Sequence, residues 1–239
     1  MRAAPPVAER LAALRERIAA AARRAGRDPA EVTLVGVTKR VPAERVAEAL
    51  RAGLDVLGEN YVQEARAKDE ALRALLGPAA PRPRWRLIGR LQRNKARDAV
   101  ALFDAVETVD RADLALELDR RAAAAGRSLE VLLQVNLSRE PQKGGAAEEE
   151  LPALLAACAG LPQLRVAGLM TVPAAGPDPE ASRPAFARLR ALAAELRVAP
   201  GGAGLRALSM GMSADFEVAI EEGATLVRIG TALFGPREG

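Results

Sequence analysis

Histidine is absent from this 239-residue chain, and cysteine occurs once, at Cys158. The first absence removes every Ser-His-Asp or Cys-His triad and every His-ligated zinc, copper or haem site. The second removes disulfides and Cys-rich metal clusters, and it suits a reducing compartment. Acid–base chemistry has to come from Lys, Arg, Tyr, Asp, Glu or a cofactor. Aromatic residues make up only 3% of the chain, too few to stack on bases. The net charge of +4 and the pI near 9.8 therefore read as a solvated basic surface and not as a nucleic-acid site. No apolar run approaches the ~20 residues of a membrane span. The N-terminal MRAAPPVAERLAALRER has no apolar signal-peptide core and places Val7, Leu11, Leu14 and Ile18 on one helical face. A soluble, cytoplasmic protein is expected.

Lysine is also scarce. Of 35 Lys and Arg, only Lys39, Lys68, Lys95 and Lys143 are Lys. In a chain that uses Arg wherever any cation serves, a surviving Lys marks work that Arg cannot do.

Short β-branched or apolar runs alternate with long segments of helical period. Strands are expected at Val32–Val37, Asp55–Leu57, Trp85–Ile88, Ala105–Thr108, Leu129–Asn136, Arg165–Met170, Leu205–Leu208 and Thr225–Ile229. Helices are expected around Ala43–Ala52, Tyr61–Leu76, Asn94–Leu102, Arg111–Ala125, Ala146–Ala159, Glu180–Leu196 and Ala214–Glu222. Strict alternation implies parallel β/α units. The consecutive apolar positions of Glu130–Asn136 suit a strand covered on both faces. The length and the eight units match a (β/α)8 TIM barrel, usually about 250 residues. An open doubly wound sheet is the rival, weakened because no GxGxxG or GxxxxGK[ST] follows the first strand. Gly77–Arg84, Arg139–Gly145, Thr171–Pro179 and Ala199–Gly204 are short enough to be loops, so residues 1–239 read as a single domain.

In such a barrel, chemistry sits just after each strand. The first strand delivers Thr38 and Lys39. A buried Lys with a lowered pKa is a nucleophilic amine, whereas Arg never loses its proton, so Lys39 suggests a Schiff base with an aldehyde or ketone. The bland alternative is a surface cation before a helix that begins near Pro42. After the seventh strand comes Ser209-Met210-Gly211-Met212-Ser213, in which Ser213 can cap the next helix. After the eighth comes Arg228-Ile229-Gly230-Thr231. Glycine, hydroxyls and helix starts attract anions, and these two loops often hold phosphate in such barrels. The alternative is two ordinary capped turns. A reactive lysine after strand one and a phosphate cradle after strands seven and eight suggest pyridoxal 5′-phosphate, with Arg228 left to meet the pyridine ring. Arg can only donate a hydrogen bond there. The ring nitrogen then stays unprotonated, which weakens the ring as an electron sink.

The stretches LVGVTK (Leu34–Lys39), GENYVQEA (Gly58–Ala65), IGRLQRNK (Ile88–Lys95), GLMT (Gly168–Thr171), LSMGMSADFEVAIEEGAT (Leu208–Thr225) and VRIGTALFG (Val227–Gly235) resemble the YggS/PROSC family of pyridoxal phosphate homeostasis proteins. The resemblance spans nearly the whole chain. It implies a barrel of the alanine racemase N-terminal type with an extra N-terminal helix. It also implies pyridoxal phosphate as an internal aldimine on Lys39, Arg228 at the pyridine nitrogen, and Ser213, Gly230 and Thr231 near the phosphate; the glycine-bearing loop adds Gly211 to that cradle, and Ser209 is counted among the cofactor contacts. Asn60 and Met212 match positions lining that pocket. One departure is Arg86, where the family pattern Trp-His-Phe-Ile-Gly has histidine. Arg can stack or hold an anion but cannot shuttle a proton. The loop Arg139–Gly145, with Lys143, also departs from the family form.

Other residues read plainly: Lys95 as a helix N-terminal cation, Cys158 as packed and inert, Trp85 as core or pocket wall, and Glu148–Glu150 as a helix's first turn. The resemblance implies a protein that buffers or delivers the cofactor with little catalysis, as a monomer or weak dimer, to apo-enzymes that need it. The alternative is a racemase or related enzyme. A two-base racemase needs a second acid–base group, which related racemases draw as tyrosine from a C-terminal domain of the partner subunit. Here the chain runs only to Gly239, and its single tyrosine is Tyr61.

Overall fold

The computed structural model describes residues 5–138, 140, 144–174, 176 and 178–236. Eight parallel strands close in sequential order into a barrel. They are β1 (Thr33–Val37), β2 (Val56–Glu59), β3 (Arg84–Leu87), β4 (Ala105–Val109), β5 (Leu129–Val135), β6 (Leu164–Thr171), β7 (Ala207–Ser209) and β8 (Leu226–Ile229). The helices are α1 (Val7–Arg24), α2 (Ala43–Arg51), α3 (Val62–Leu76), α4 (Ala96–Leu102), α5 (Ala112–Ala124), α6 (Leu151–Ala159), α7 (Arg183–Arg197), α8 (Phe216–Glu221) and α9 (Thr231–Phe234). The expected order holds, and α1 is the extra helix.

The differences lie at element ends. Three expected helices open with a 3-10 turn, at Arg93–Lys95, Glu148–Glu150 and Pro179–Ser182. Pro152 and Pro184 then stand in the first turns of α6 and α7, where a missing N–H costs nothing. The helix expected from Ala214 begins at Phe216, because the Met212 carbonyl takes the amides of both Asp215 (3.1 Å) and Phe216 (2.9 Å) in a preceding turn. The seventh strand starts at Ala207, two residues later than expected, after a 3-10 turn at Gly202–Gly204. The loop residues Arg139, Pro141, Gln142 and Lys143, part of the expected polar loop, lie outside the described residues.

Most of the core lies between the strands' outer faces and the helices. α1 buries Val7, Leu11, Leu14 and Ile18, the face its periodicity predicts. Each such side chain contributes up to roughly 1.5–3 kcal/mol. α1 packs on α8 and α9, with Arg17 over the Phe216 ring at 4.7 Å, so it braces the helices that follow β7 and β8. Trp85 belongs to this outer core, fully buried, its indole N–H donating to Asp69 at 2.8 Å. Cys158 is buried as well, and burial pushes its thiol up to about 11.

The apolar content of the barrel lumen is small. Val35, Val56 and Leu226 form one cluster, and Leu132, Ala167 and Met170 another. Polar side chains take the remaining space, and they shape the site.

Candidate functional site

Closure of β1 against β8 sets the site. Leu34 pairs with Val227, Val35 with Arg228 and Gly36 with Ile229, so the β1 turn lies beside the β8 loop. A Cβ on Gly230 would sit 3.5 Å from the Val37 carbonyl oxygen. Lys39 follows two residues beyond Val37 and is half-buried. A four-residue turn carries it, closed by the Val41 amide on the Thr38 carbonyl at 2.9 Å.

Next to it in the ring come the two expected phosphate loops, after β8 and β7. Gly211 has φ +90°, and a Cβ there would lie 2.5 Å from the Ala219 Cβ, so only glycine fits this bend. Its neighbour Met212 is half-buried and donates its amide to Asp215 at 2.7 Å. The other carboxylate oxygen of Asp215 accepts from the Ser182 hydroxyl at 2.9 Å. Ser213 does not cap α8, as its position in sequence suggests. Its hydroxyl accepts the Ala232 amide at 3.2 Å and so caps α9, tying the β7 loop to the β8 loop. The amides of Ser213, Ala214 and Thr231 find no acceptor among the described residues, and Thr231 is exposed. Unpaired amides beside two hydroxyls at a helix start form a donor set suited to a phosphate monoester. Lys39 follows β1, the strand that pairs with β8, so its turn lies beside them. The residues present fit a phosphate ester that carries an aldehyde.

A network that crosses the lumen lies beneath. Arg228, 4% exposed, donates to the Ser209 hydroxyl at 2.6 Å and to the Thr171 carbonyl at 2.8 Å. Ser209 donates in turn to Glu107 on β4 at 2.5 Å. Because β4 and β7 are not neighbours in the barrel, that bond spans the interior. Burial pushes the Arg228 guanidinium down, and Glu107 and Asp215 oppose it. Ser209, expected among the cofactor contacts, is fully buried with its hydroxyl engaged on both sides; it orients Arg228 from below. Arg86 bonds to Glu107 and, at 2.8 Å, to Glu130. Burial acts to lower its pKa, but the two carboxylates hold the guanidinium above its ordinary value. Arg86 is thus an internal counter-ion, which neither stacks nor waits for an anion.

Asn60 has its amide on Glu59 at 3.2 Å and lines a cavity of about 570 Å³ beside the mouth, with Arg90, Arg93, Lys95 and Arg111. Lys95 stands at the N-cap of α4. Sequence reasoning passed over Glu59, Glu64 and Lys68, which cluster under the Lys39 turn. The signal was available, since Lys68 is one of the four lysines and both glutamates sit in GENYVQEA.

A closed parallel barrel with a lysine in the turn after β1, and glycine- and hydroxyl-bearing loops after β7 and β8 tied together by Ser213, defines the class. The family model described as alanine racemase, N-terminal domain, matches residues 10–238. The "Pyridoxal phosphate homeostasis protein" of Pseudomonas aeruginosa is 48% identical over 97% of this chain and 96% of its own length. The solved structure of PipY from Synechococcus elongatus, with PLP bound, is 41% identical, with a TM-score of 0.83, over 96% of this chain and 100% of that one. Alanine racemase from Corynebacterium glutamicum, at 18% identity and a TM-score of 0.65 over 96% of this chain and 62% of its own, shares the fold alone. The chain belongs to the pyridoxal phosphate homeostasis family of these barrels.

Proposed function

We propose that this chain, as one barrel domain over residues 1–239, binds pyridoxal 5′-phosphate and acts in its homeostasis, holding the cofactor for release to apo-enzymes. The observation that carries the reading is the closure of β1 on β8, which sets the Lys39 turn beside Gly230 and the loop tied by Ser213. The phosphate would rest on the amides of Ser213, Ala214 and Thr231 and on the Ser213 and Thr231 hydroxyls. Gly211 and Gly230 keep the backbone close, and Met212 and Asn60 wall the pocket. Arg228, held by Ser209, would meet the ring nitrogen. When bound, the cofactor supplies an electrophilic aldehyde for the Lys39 amine, with one water released as the C=N bond forms.

The chain's own groups favour storage over turnover. Arg228 keeps its proton and only donates. Glu59 and Glu107 are committed to Lys68 and Arg86, and Tyr61 is 65% exposed. No described side chain stands ready as a second base opposite Lys39. A cytoplasmic monomer or weak dimer, with no nucleic-acid or membrane partner, accords with this role.

The test is direct. Purified protein loaded with pyridoxal 5′-phosphate turns yellow, and borohydride fixes the cofactor to the peptide containing Lys39. A Lys39→Ala variant that keeps the same visible band overturns the assignment. Incubation with alanine or serine in deuterated water leaves the Cα hydrogen in place; rapid exchange overturns the storage reading in favour of the racemase.

A further inference from the structure

The turn that carries Lys39 is held from beneath by a buried ion cluster. Lys68, on α3, is 7% exposed, and its ammonium reaches three acceptors: the Thr38 carbonyl and Glu59 Oε1, both at 2.5 Å, and Glu64 Oε1 at 3.2 Å. The two carboxylates then grip the chain on both sides of Lys39. Glu59 accepts the Thr38 hydroxyl at 2.7 Å, and Glu64 accepts the Arg40 amide at 2.5 Å. The second oxygen of Glu59 accepts the Asn60 amide, so the cluster also reaches the pocket wall.

Two independent features show that this arrangement is demanding. Arg40 has φ +58°, the only left-handed non-glycine among the described residues. A side chain is strained there unless its surroundings over-determine the turn. The second feature is the identity of residue 68 in a chain that prefers Arg. An ammonium offers three N–H donors in a tetrahedral fan, which suits three acceptors converging from a strand end, a buried carboxylate and the preceding helical turn. A planar guanidinium fork does not fit that arrangement.

We propose that Lys68, with Glu59 and Glu64, is a positioning residue that fixes the Thr38–Val41 turn so that the Lys39 amine is presented to an aldehyde-bearing phosphate ester in the barrel mouth. The proposal rests on the reading of Lys39 given above. Lys68 does not touch the ligand. It sets the rate at which Lys39 captures the ligand and leaves the phosphate cradle on β7 and β8 unchanged.

The test uses the full chain with Lys68→Arg, and with Glu64→Ala as a milder variant at a half-exposed position. Two ligands separate the effects. Pyridoxal 5′-phosphate needs both cradle and amine, whereas pyridoxine 5′-phosphate carries an alcohol in place of the aldehyde and needs only the cradle. Covalent loading on Lys39, followed by the visible band and borohydride mapping, falls at least tenfold in rate in both variants. The Kd for pyridoxine 5′-phosphate stays within twofold of wild type. Amide exchange at Arg40 in the ligand-free protein speeds up at least tenfold in both. Unchanged Arg40 exchange, or loading within twofold of wild type, overturns the proposal. Parallel weakening of both ligands does so too, because it marks a general loss of structure. Failure of wild-type protein to form any Lys39 adduct refutes the functional reading instead, and Arg40 exchange then decides alone whether the cluster holds the turn.

Discussion

Placing histidine at position 86 perturbs the lumen in a calculable way. Arg86 now lies between Glu107, whose side chain is fully buried, and Glu130, which is 21% exposed. At pH 8.5 a neutral imidazole in Arg86→His removes the cation bonded directly to Glu107, leaving only Arg228, which reaches it through Ser209. Removing one partner of a buried pair costs about 3–5 kcal/mol. Glu107 keeps the Ser209 hydroxyl and Glu130 keeps some solvent, so the lower end applies, about 3 kcal/mol. At 2–4 °C per kcal/mol for a chain of this size, Tm falls by roughly 6–12 °C. Acidification reverses the loss. Two carboxylates raise the folded-state pKa of the introduced imidazole above its unfolded value of about 6.5. The stabilising charge is therefore fully present below about pH 6.5 and is lost as pH rises through the folded pKa. Thermal melts of wild type and variant from pH 5.5 to 8.5 read the difference. A deficit below about 2 °C throughout, or one that does not shrink on acidification, refutes the internal ion pair.

The remaining predictions concern the rim and the outer core. Gly211→Ala places a Cβ 2.5 Å from the Ala219 Cβ at a φ of +90°, a combination costing about 2–4 kcal/mol. Its Tm falls, and its affinity for pyridoxine 5′-phosphate weakens; a melt within about 2 °C of wild type sinks the claim that this bend requires glycine. Cys158, with its thiol pushed up to about 11 by burial, holds about one thiolate in a thousand at pH 8. A thiol reagent at pH 8 should label it only after unfolding in guanidinium, and equal rates in native and unfolded protein disprove the packed site.

Much of the architecture was legible because it is written in local periodicity. Val7, Leu11, Leu14 and Ile18 repeat at helical spacing, and α1 buries that face. Consecutive apolar residues in Glu130–Asn136 announced a strand covered on both sides, and β5 runs over Leu129–Val135. Lys39 stood out through composition, since in an Arg-rich chain a strand-end lysine asks for an explanation. The same logic applied to Lys68, whose position inside a helical segment concealed the three acceptors it meets.

The inward-facing residues were harder to read. A strand buried on both faces shows no alternation that marks its lumen side, so Glu107 and Ser209 looked like ordinary strand residues. Their bond crosses a closed barrel from β4 to β7, and only the closed ring brings positions 102 residues apart in sequence within 2.5 Å. The role of Arg86 followed the same course. Its chemistry as a permanent cation was evident, but its two carboxylate partners come from neighbouring and next-neighbouring strands. Ser213 shows the point at short range. A serine before a helix suggests a cap for that helix, yet the β7 and β8 loops converge, and its hydroxyl takes the amide of Ala232 instead.

The sequence by itself determined the alternation of strands and helices, the amphipathic brace at the N-terminus and the exclusion of histidine chemistry, and it singled out Lys39 as the proposed amine. Periodicity and side-chain chemistry are properties of neighbouring residues, and they need no third dimension. Barrel closure decided the rest: which polar groups share the lumen, which hydroxyl caps which helix, and which buried cation holds the Lys39 turn. Those pairings depend on strands far apart in the chain being brought onto one ring.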